Sequence, residues 1–157
     1  MQTRVIVCGV VCDNDKVLLG KKANGIPPYP DVWHTLGGGT EDLERSERLL
    51  AVKDLDNAYF HAELQRELNE EACVTVHDIR NICPIYRKEP REAIAKNKDG
   101  DDIHYVFLEY LCELDDGIAQ VRPGDDIVEV RWFDKKDLKT IALTPPSKEM
   151  YAELGWL

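Results

Sequence analysis

From residue 41 to residue 72 the apolar side chains keep the beat of a helix. Leu49, Val52, Leu55, Tyr59 and Ala62, then Leu64 and Leu68, fall mostly three and four positions apart, the spacing that puts residues on one face. Elsewhere the chain reads in short runs rich in Val, Ile and aromatic residues. These are 4–12, 16–22 and 32–36 before the helical stretch, and 74–77, 82–87, 104–113 and 127–133 after it. Such runs have strand length and strand composition. One long helical stretch among many short strands restricts the fold to the α+β class, a mixed sheet with a long helix packed on it.

Turn chemistry divides the runs. Asp13-Asn14-Asp15 joins the first two into a hairpin. Pro27-Pro28-Tyr29-Pro30 forces a loop, since three prolines in four residues exclude a helix or central strand. Asp54, Asp56 and Asn57 offer N-cap side chains inside the helical stretch, which is therefore read as two helices. The segment 89–102 is highly charged, contains Gly100 and is expected to be a mobile loop. Residues 134–138 read as a helical turn, and 147–154 as a terminal helix started by Pro145-Pro146.

With 157 residues, 43% hydrophobic and 32% charged, the chain has the size and composition of one globular domain spanning 1–157. No apolar run is long enough to cross a bilayer, and no basic leader followed by an apolar stretch opens the sequence. A membrane partner is not expected. The net charge of −10 repels a phosphate backbone, so nucleic acid is not an expected partner either. Free phosphate compounds remain open if bound cations supply positive charge at a site. The five cysteines are scattered and contain no CxxC pair. They read as small buried hydrophobes in a reducing, cytoplasmic protein.

Chemistry concentrates in Arg66-Glu67-Leu68-Asn69-Glu70-Glu71. On a helix Glu67, Glu70 and Glu71 project together, with Glu63 one turn earlier on the same side. Crowded carboxylates repel by a few tenths of a kcal/mol per pair. A chain tolerates this on a free surface or uses it to hold hard divalent cations, which prefer oxygen ligands. The context favours the second use. Gly37-Gly38-Gly39 follows a strand and precedes the acidic helix, and glycines let the backbone approach a ligand closely.

These residues resemble the Nudix (MutT-like) family, whose box runs Gly, five residues, Glu, seven residues, Arg-Glu-apolar-x-Glu-Glu-x-Gly-apolar. Gly38 and Glu44 match its first half, and Arg66 through Val74 match its second half except for the glycine. Trp33-His34-Thr35-Leu36-Gly37-Gly38 resembles the family's Trp-x-x-Pro-Gly-Gly segment, and Val130-Arg131-Trp132-Phe133 with Asp137-Leu138 resembles its late strand and turn. The resemblance implies a Nudix fold, a mixed β-sheet sandwiched between a long catalytic helix and a C-terminal helix. Three departures stand out. Leu36 replaces Pro, Cys73 replaces the helix-ending Gly, and twenty-one residues separate Glu44 from Arg66 where the pattern has seven.

The activity implied is Mg2+-dependent (or Mn2+-dependent) hydrolysis of a phosphoanhydride bond in a nucleoside di- or triphosphate or a related nucleoside diphosphate-X compound. Glu67, Glu70 and Glu71 would bind the ion, with a carbonyl of Gly37 or Gly38 completing its shell. Arg66 would orient the carboxylates. The general base would be a box Glu such as Glu67 or a later one, with Glu129 ahead of Asp126 and Glu109. Lys22 falls where the family often places a phosphate contact, Ser147 in a region that meets the nucleobase in some relatives, and Tyr29 where it can stack on a base. Trp33, Trp132 and Phe133 read as core. The alternative is a catalytically inactive Nudix-fold module that binds a nucleotide. An isoprenoid diphosphate isomerase ranks last, because that chemistry needs an early-loop Cys and none lies near Trp33. The helical insertion at about 45–58 presents Leu49, Leu50, Val52 and Leu55, too apolar for a free loop. It packs either beside the cleft or on a second copy, and a homodimer is the expectation.

Overall fold

In a computed structural model the structure describes residues 1–26, 29–116 and 127–157, so Pro27, Pro28 and Asp126 lie outside the described residues. The Val-rich first run forms β1 (Gln2–Asp13), which turns at Asn14 into β2 (Lys16–Lys22). β3 (Trp33–His34) and β4 (Leu36–Gly39) follow, then α1 (Leu43–Ala51) and α2 (Ala58–Ala72). β5 (Thr75–Asn81), β6 (Arg91–Lys96), β7 (Asp102–Asp116) and β8 (Ile127–Asp134) complete the sheet. A 3-10 turn (Lys135–Thr140) and α3 (Pro145–Glu153) end the described elements.

The sheet runs β3-β2-β1-β7-β5, with β4 also on β1, β6 on β7 and β8 on β2. Its spine is the parallel pairing of β1 with β7, from Gln2 opposite Ile103 to Cys12 opposite Glu113. Side chains alternate between faces, and each face has its own core. Val5, Val7 and Val11 of β1 join Val106, Leu108 and Tyr110 of β7 under Phe60, Leu64 and Leu68 of α2. Val10 and Cys12 join Val17, Leu19 and Trp33 under Met150 and Tyr151 of α3. The sheet is therefore held between the long helix and the C-terminal one, as the resemblance implied. No helix among the described residues is long and apolar enough to cross a membrane.

One strand reading and one loop reading are corrected. Residues 82–87 are not a strand. Pro84 has no N–H for a ladder, the Cys83–Pro84 peptide is cis, and Tyr86 N–H closes a turn onto the Ile82 carbonyl at 2.8 Å. Nor is 89–102 a loop throughout, because β6 pairs antiparallel with β7 from Arg91 opposite Phe107 to Lys96 opposite Asp102. Its charges hide a strand that is solvated on one side, with Glu92, Ile94 and Lys96 exposed. The glycine run also differs from the expected turn, since Gly37, Gly38 and Gly39 are themselves strand residues paired with Cys8, Val7 and Ile6.

The helical stretch breaks where the caps predicted. Asn57 accepts from Tyr59 N–H at 2.9 Å and starts α2, while Asp42 accepts from Arg45 N–H at 3.0 Å and starts α1. The inserted stripe does not await a partner. Leu43, Leu49, Leu50 and Leu55 pack against the α2-side core of their own chain, leaving only Val52 of that stripe strongly exposed, at 72%. The stripe thus lends no support to a second copy, and no α1 residue lines the pocket described below.

Cys73 ends α2 in the left-handed conformation that the missing glycine would have adopted, with φ 58° and ψ 33°. A Cβ is strained there and a glycine is not. Cys73→Gly is expected to raise stability by about 0.5–1 kcal/mol, read as a higher urea midpoint at unchanged slope. A loss of stability would show that the contacts of the Cys73 side chain outweigh the backbone strain.

Candidate active site

On the α3 face of the sheet, alternate residues of β1 and β7 form the floor of a pocket of about 370 Å³. The parallel register sets Arg4 beside Tyr105, Ile6 beside Phe107 and Cys8 beside Glu109, and all six line the pocket. Lys22, Tyr29, His34, Ile127, Pro146 and Ser147 contribute to its walls.

The carboxylates arrive from the opposite face, and the glycine strand is what lets them in. A Cβ on Gly38 would stand 2.5 Å from the Glu67 carboxyl carbon, so any side chain there would displace that carboxylate. Gly37 donates its N–H to Glu71 Oε1 at 2.9 Å. A Cβ on Gly37 would overlap the Val7 carbonyl oxygen. Glu67 and Glu71 both line the pocket together with Gly37, Gly38 and Gly39.

Arg66 gathers the acids of the helix. Its Nε donates to Glu63 Oε2 at 2.9 Å, and its Nη1 lies 3.1 Å from both Glu67 Oε1 and Glu70 Oε2. Glu63 is structural. It is buried and accepts from Glu41 N–H at 2.8 Å and from the Tyr59 hydroxyl at 3.2 Å. Burial opposes its charge, but these donors and Arg66 hold its carboxyl below the usual range. Glu67 behaves oppositely. Burial pushes its carboxyl up, Arg66 pulls it back and Glu70 pushes it up again. Glu70 is half exposed and turned toward Arg66, outside the pocket lining.

Among the described residues no three His, Cys, Asp or Glu side chains converge closely enough to cage an ion as they stand. The donor chemistry nevertheless fits a hard divalent cation. The carboxylates of Glu67 and Glu71 reach the pocket beside backbone without side chains, and a third, Glu70, lies within one helical turn.

Of the remaining expected residues, Lys22, Tyr29 and Ser147 share the pocket and Glu129 does not. Lys22 lines the pocket at a bulge in the pairing of β2 with β8. Tyr29 sits at the rim with a positive φ of 55°. Ser147 lines the wall, but its hydroxyl is engaged, accepting from Thr35 N–H at 3.1 Å and lying 3.1 Å from Thr35 Oγ1, itself 3.0 Å from the Tyr151 hydroxyl. Glu129 is 41% exposed, paired with Arg131 and not a pocket residue. Glu44 pairs with Arg48 on the exposed side of α1, far in role from any box position. Trp33 is core, as read.

Glu109 stands out instead. It is 4% exposed on the pocket floor, with Arg91 Nε 3.2 Å from Oε2. Arg91 also reaches Glu149 and Glu153 of α3, at 2.9 and 3.0 Å. Burial pushes Glu109 up to about 7 against the pull of Arg91. His34 is pushed down to about 4, chiefly by burial, so it is neutral at pH 7. With Nδ1 donating to the Thr35 carbonyl at 2.9 Å, its buried Nε2 is an acceptor without a partner among the described residues. The signal for Glu109 was a lone acid inside the apolar run 105–112. His34 carried no comparable mark.

A family model for the NUDIX domain matches residues 2–154. The chain belongs to the Nudix family. It is a Nudix pyrophosphohydrolase in which the box arginine and glutamates lie on α2 and the box glycines form β4. It is 25% identical over 158 residues, covering all of both chains, to a nucleoside triphosphatase NudI of Klebsiella pneumoniae. A MutT Nudix hydrolase from Burkholderia pseudomallei shares the fold at a TM-score of 0.68 and 21% identity, with 98% of this chain and 99% of that one covered. The Nudix domain of Shewanella oneidensis NrtR, solved with ADP ribose, does so at 0.67 and 16%, with 99% and 88% covered. In this chain the segment between β4 and α2 carries α1, whose Leu43, Leu49 and Leu50 pack against the α2-side core.

Proposed function

We propose that the chain uses Mg2+ or Mn2+ to hydrolyse a phosphoanhydride bond in a nucleoside di- or triphosphate or a nucleoside diphosphate-X compound. The observation that carries this reading is the meeting of Glu67 and Glu71 with the bare backbone of β4 at the edge of one pocket. Glu67, Glu70 and Glu71, with a carbonyl of Gly37 or Gly38, would hold the ion. Once bound, such an ion neutralises phosphate charge and acidifies a coordinated water. Arg66 holds Glu67 and Glu70 together and oriented through its Nη1, 3.1 Å from each. Glu67, desolvated and inside the pocket, is better placed than Glu129 to take a proton from water. Glu129 is tied to Arg131 outside it. Lys22 and Tyr29 face the substrate, whereas Ser147 shapes the wall through Thr35.

The activity that NudI is named for, nucleoside triphosphate hydrolysis, agrees with this reading. Release of phosphate or pyrophosphate from a panel of nucleoside triphosphates, diphosphates and ADP-ribose is expected with Mg2+ and is abolished by EDTA. Nucleotide binding without release across the whole panel would instead make the chain a binding module.

A further inference from the structure

Position 39 is bare for a different reason from positions 37 and 38. A Cβ there would overlap Nη2 of Arg4, whose guanidinium occupies the volume that a side chain at 39 would fill. Gly39 pairs with Ile6, so Arg4 lies one pleat further along β1 on the same face of the sheet. The guanidinium is thus draped over the outer end of the glycine strand, next to the Gly38 position that covers Glu67.

No carboxylate pairs with Arg4 among the described residues. That sets it apart from the other arginines near the site. Arg66 is committed to Glu63, Glu67 and Glu70, and Arg91 to Glu109, Glu149 and Glu153. Arg4 and Lys22 are the lysine and arginine side chains of the pocket lining, against Glu67, Glu71 and Glu109. An ion held by the helix carboxylates would neutralise the phosphate charge beside them and not the whole of a polyphosphate. A polyphosphate chain extends past it, in a protein of net charge −10, and that excess charge needs a cation.

We propose that Arg4, cradled by the side-chain-free Gly39, is a substrate-binding residue that grips the phosphoryl group lying beyond those served by the carboxylates. A guanidinium fork matches two phosphate oxygens at once, which an ammonium does not. This rests on the phosphoanhydride reading for its biological meaning, but not for its test.

The test is calorimetric titration of inorganic tripolyphosphate with Mg2+ into the intact chain, a probe without base or sugar. Arg4→Ala is expected to weaken binding at least tenfold at unchanged melting temperature, with Arg4→Lys between it and the parent. Gly39→Ala is expected to weaken binding similarly by evicting the guanidinium, and to add little on top of Arg4→Ala. Equal binding by Arg4→Ala and the parent, absence of tripolyphosphate binding by the parent, or independent multiplication of the two effects would each overturn the proposal. Turnover separates the two readings. A parent that binds tripolyphosphate through Arg4 yet hydrolyses no nucleotide leaves Arg4 in place and removes the hydrolase.

Discussion

Glu67→Gln is expected to lower turnover by about a thousandfold while leaving the melting temperature unchanged or a few degrees higher. A metal-held charge stabilises a phosphoryl-transfer transition state by several kcal/mol, and each 1.36 kcal/mol is a factor of ten in rate. Loss of one anionic ligand that is also the candidate base removes much of that. The fold loses little, because Arg66 keeps Glu63 and Glu70. The folded state also sheds a desolvated charge crowded by Glu70 and Glu63. The sign with pH follows. The Glu67 carboxyl is raised in the folded protein, so its contribution to stability is full below the ordinary carboxylate range. It is lost as pH rises through the folded value. Gln has no such loss. In metal-free protein the variant's advantage in melting temperature should therefore be larger at pH 8 than at pH 4. Near-parental turnover at limiting Mg2+ would remove Glu67 from the site.

The second large effect separates two adjacent glycines. Gly37→Ala drives a methyl into the Val7 carbonyl across the pairing of β1 with β4. Backbone cannot swing aside as a side chain can, so a loss of about 3 kcal/mol is expected, a fall in melting temperature on the order of 10 °C. Gly38→Ala meets the end of the flexible Glu67 side chain at 2.5 Å. The fold should survive while the carboxylate is pushed off its position, and misplacement of a reacting group by an ångström lowers rates by about a hundredfold. Circular dichroism melts paired with turnover would read both. A stable, active Gly38→Ala would mean that Glu67 works from another rotamer.

The acidic helix and its glycine strand were legible because their constraints are local. A helix face needs i, i+3 and i+4, and Arg66 to Glu71 display it in six letters. The Asn57 cap was legible for the same reason, since a cap satisfies N–H groups two or three residues away, whereas the Asp42 and Thr144 caps were not read. β6 was hidden because its stability comes from β7, which follows it in sequence, while its own letters read as solvent. The 82–87 run misled because Ile82, Cys83 and Ile85 look like a strand, and Pro84 was given too little weight. Glu129 and Glu109 were ranked in the wrong order for pocket access. Nearness to the Trp132 motif favoured Glu129, but the parallel register with Cys8 carries Glu109 inward, and a register is a long-range fact. Arg4 looked like any charged residue at a strand start, and only the neighbour that it displaces gives it meaning.

The glycine strand is a partition one backbone thick between two workshops. The acids rise from α2 on one side and reach the pocket past the glycines, while Tyr105, Phe107, Ile127 and Pro146 shape its other side. The two sets share no side chain, so the shaping set can be randomised without touching the acids. A library at those four positions should alter which nucleotide is chosen while each member keeps the same dependence on divalent ion, making this chain a scaffold whose selectivity and reaction can be engineered apart.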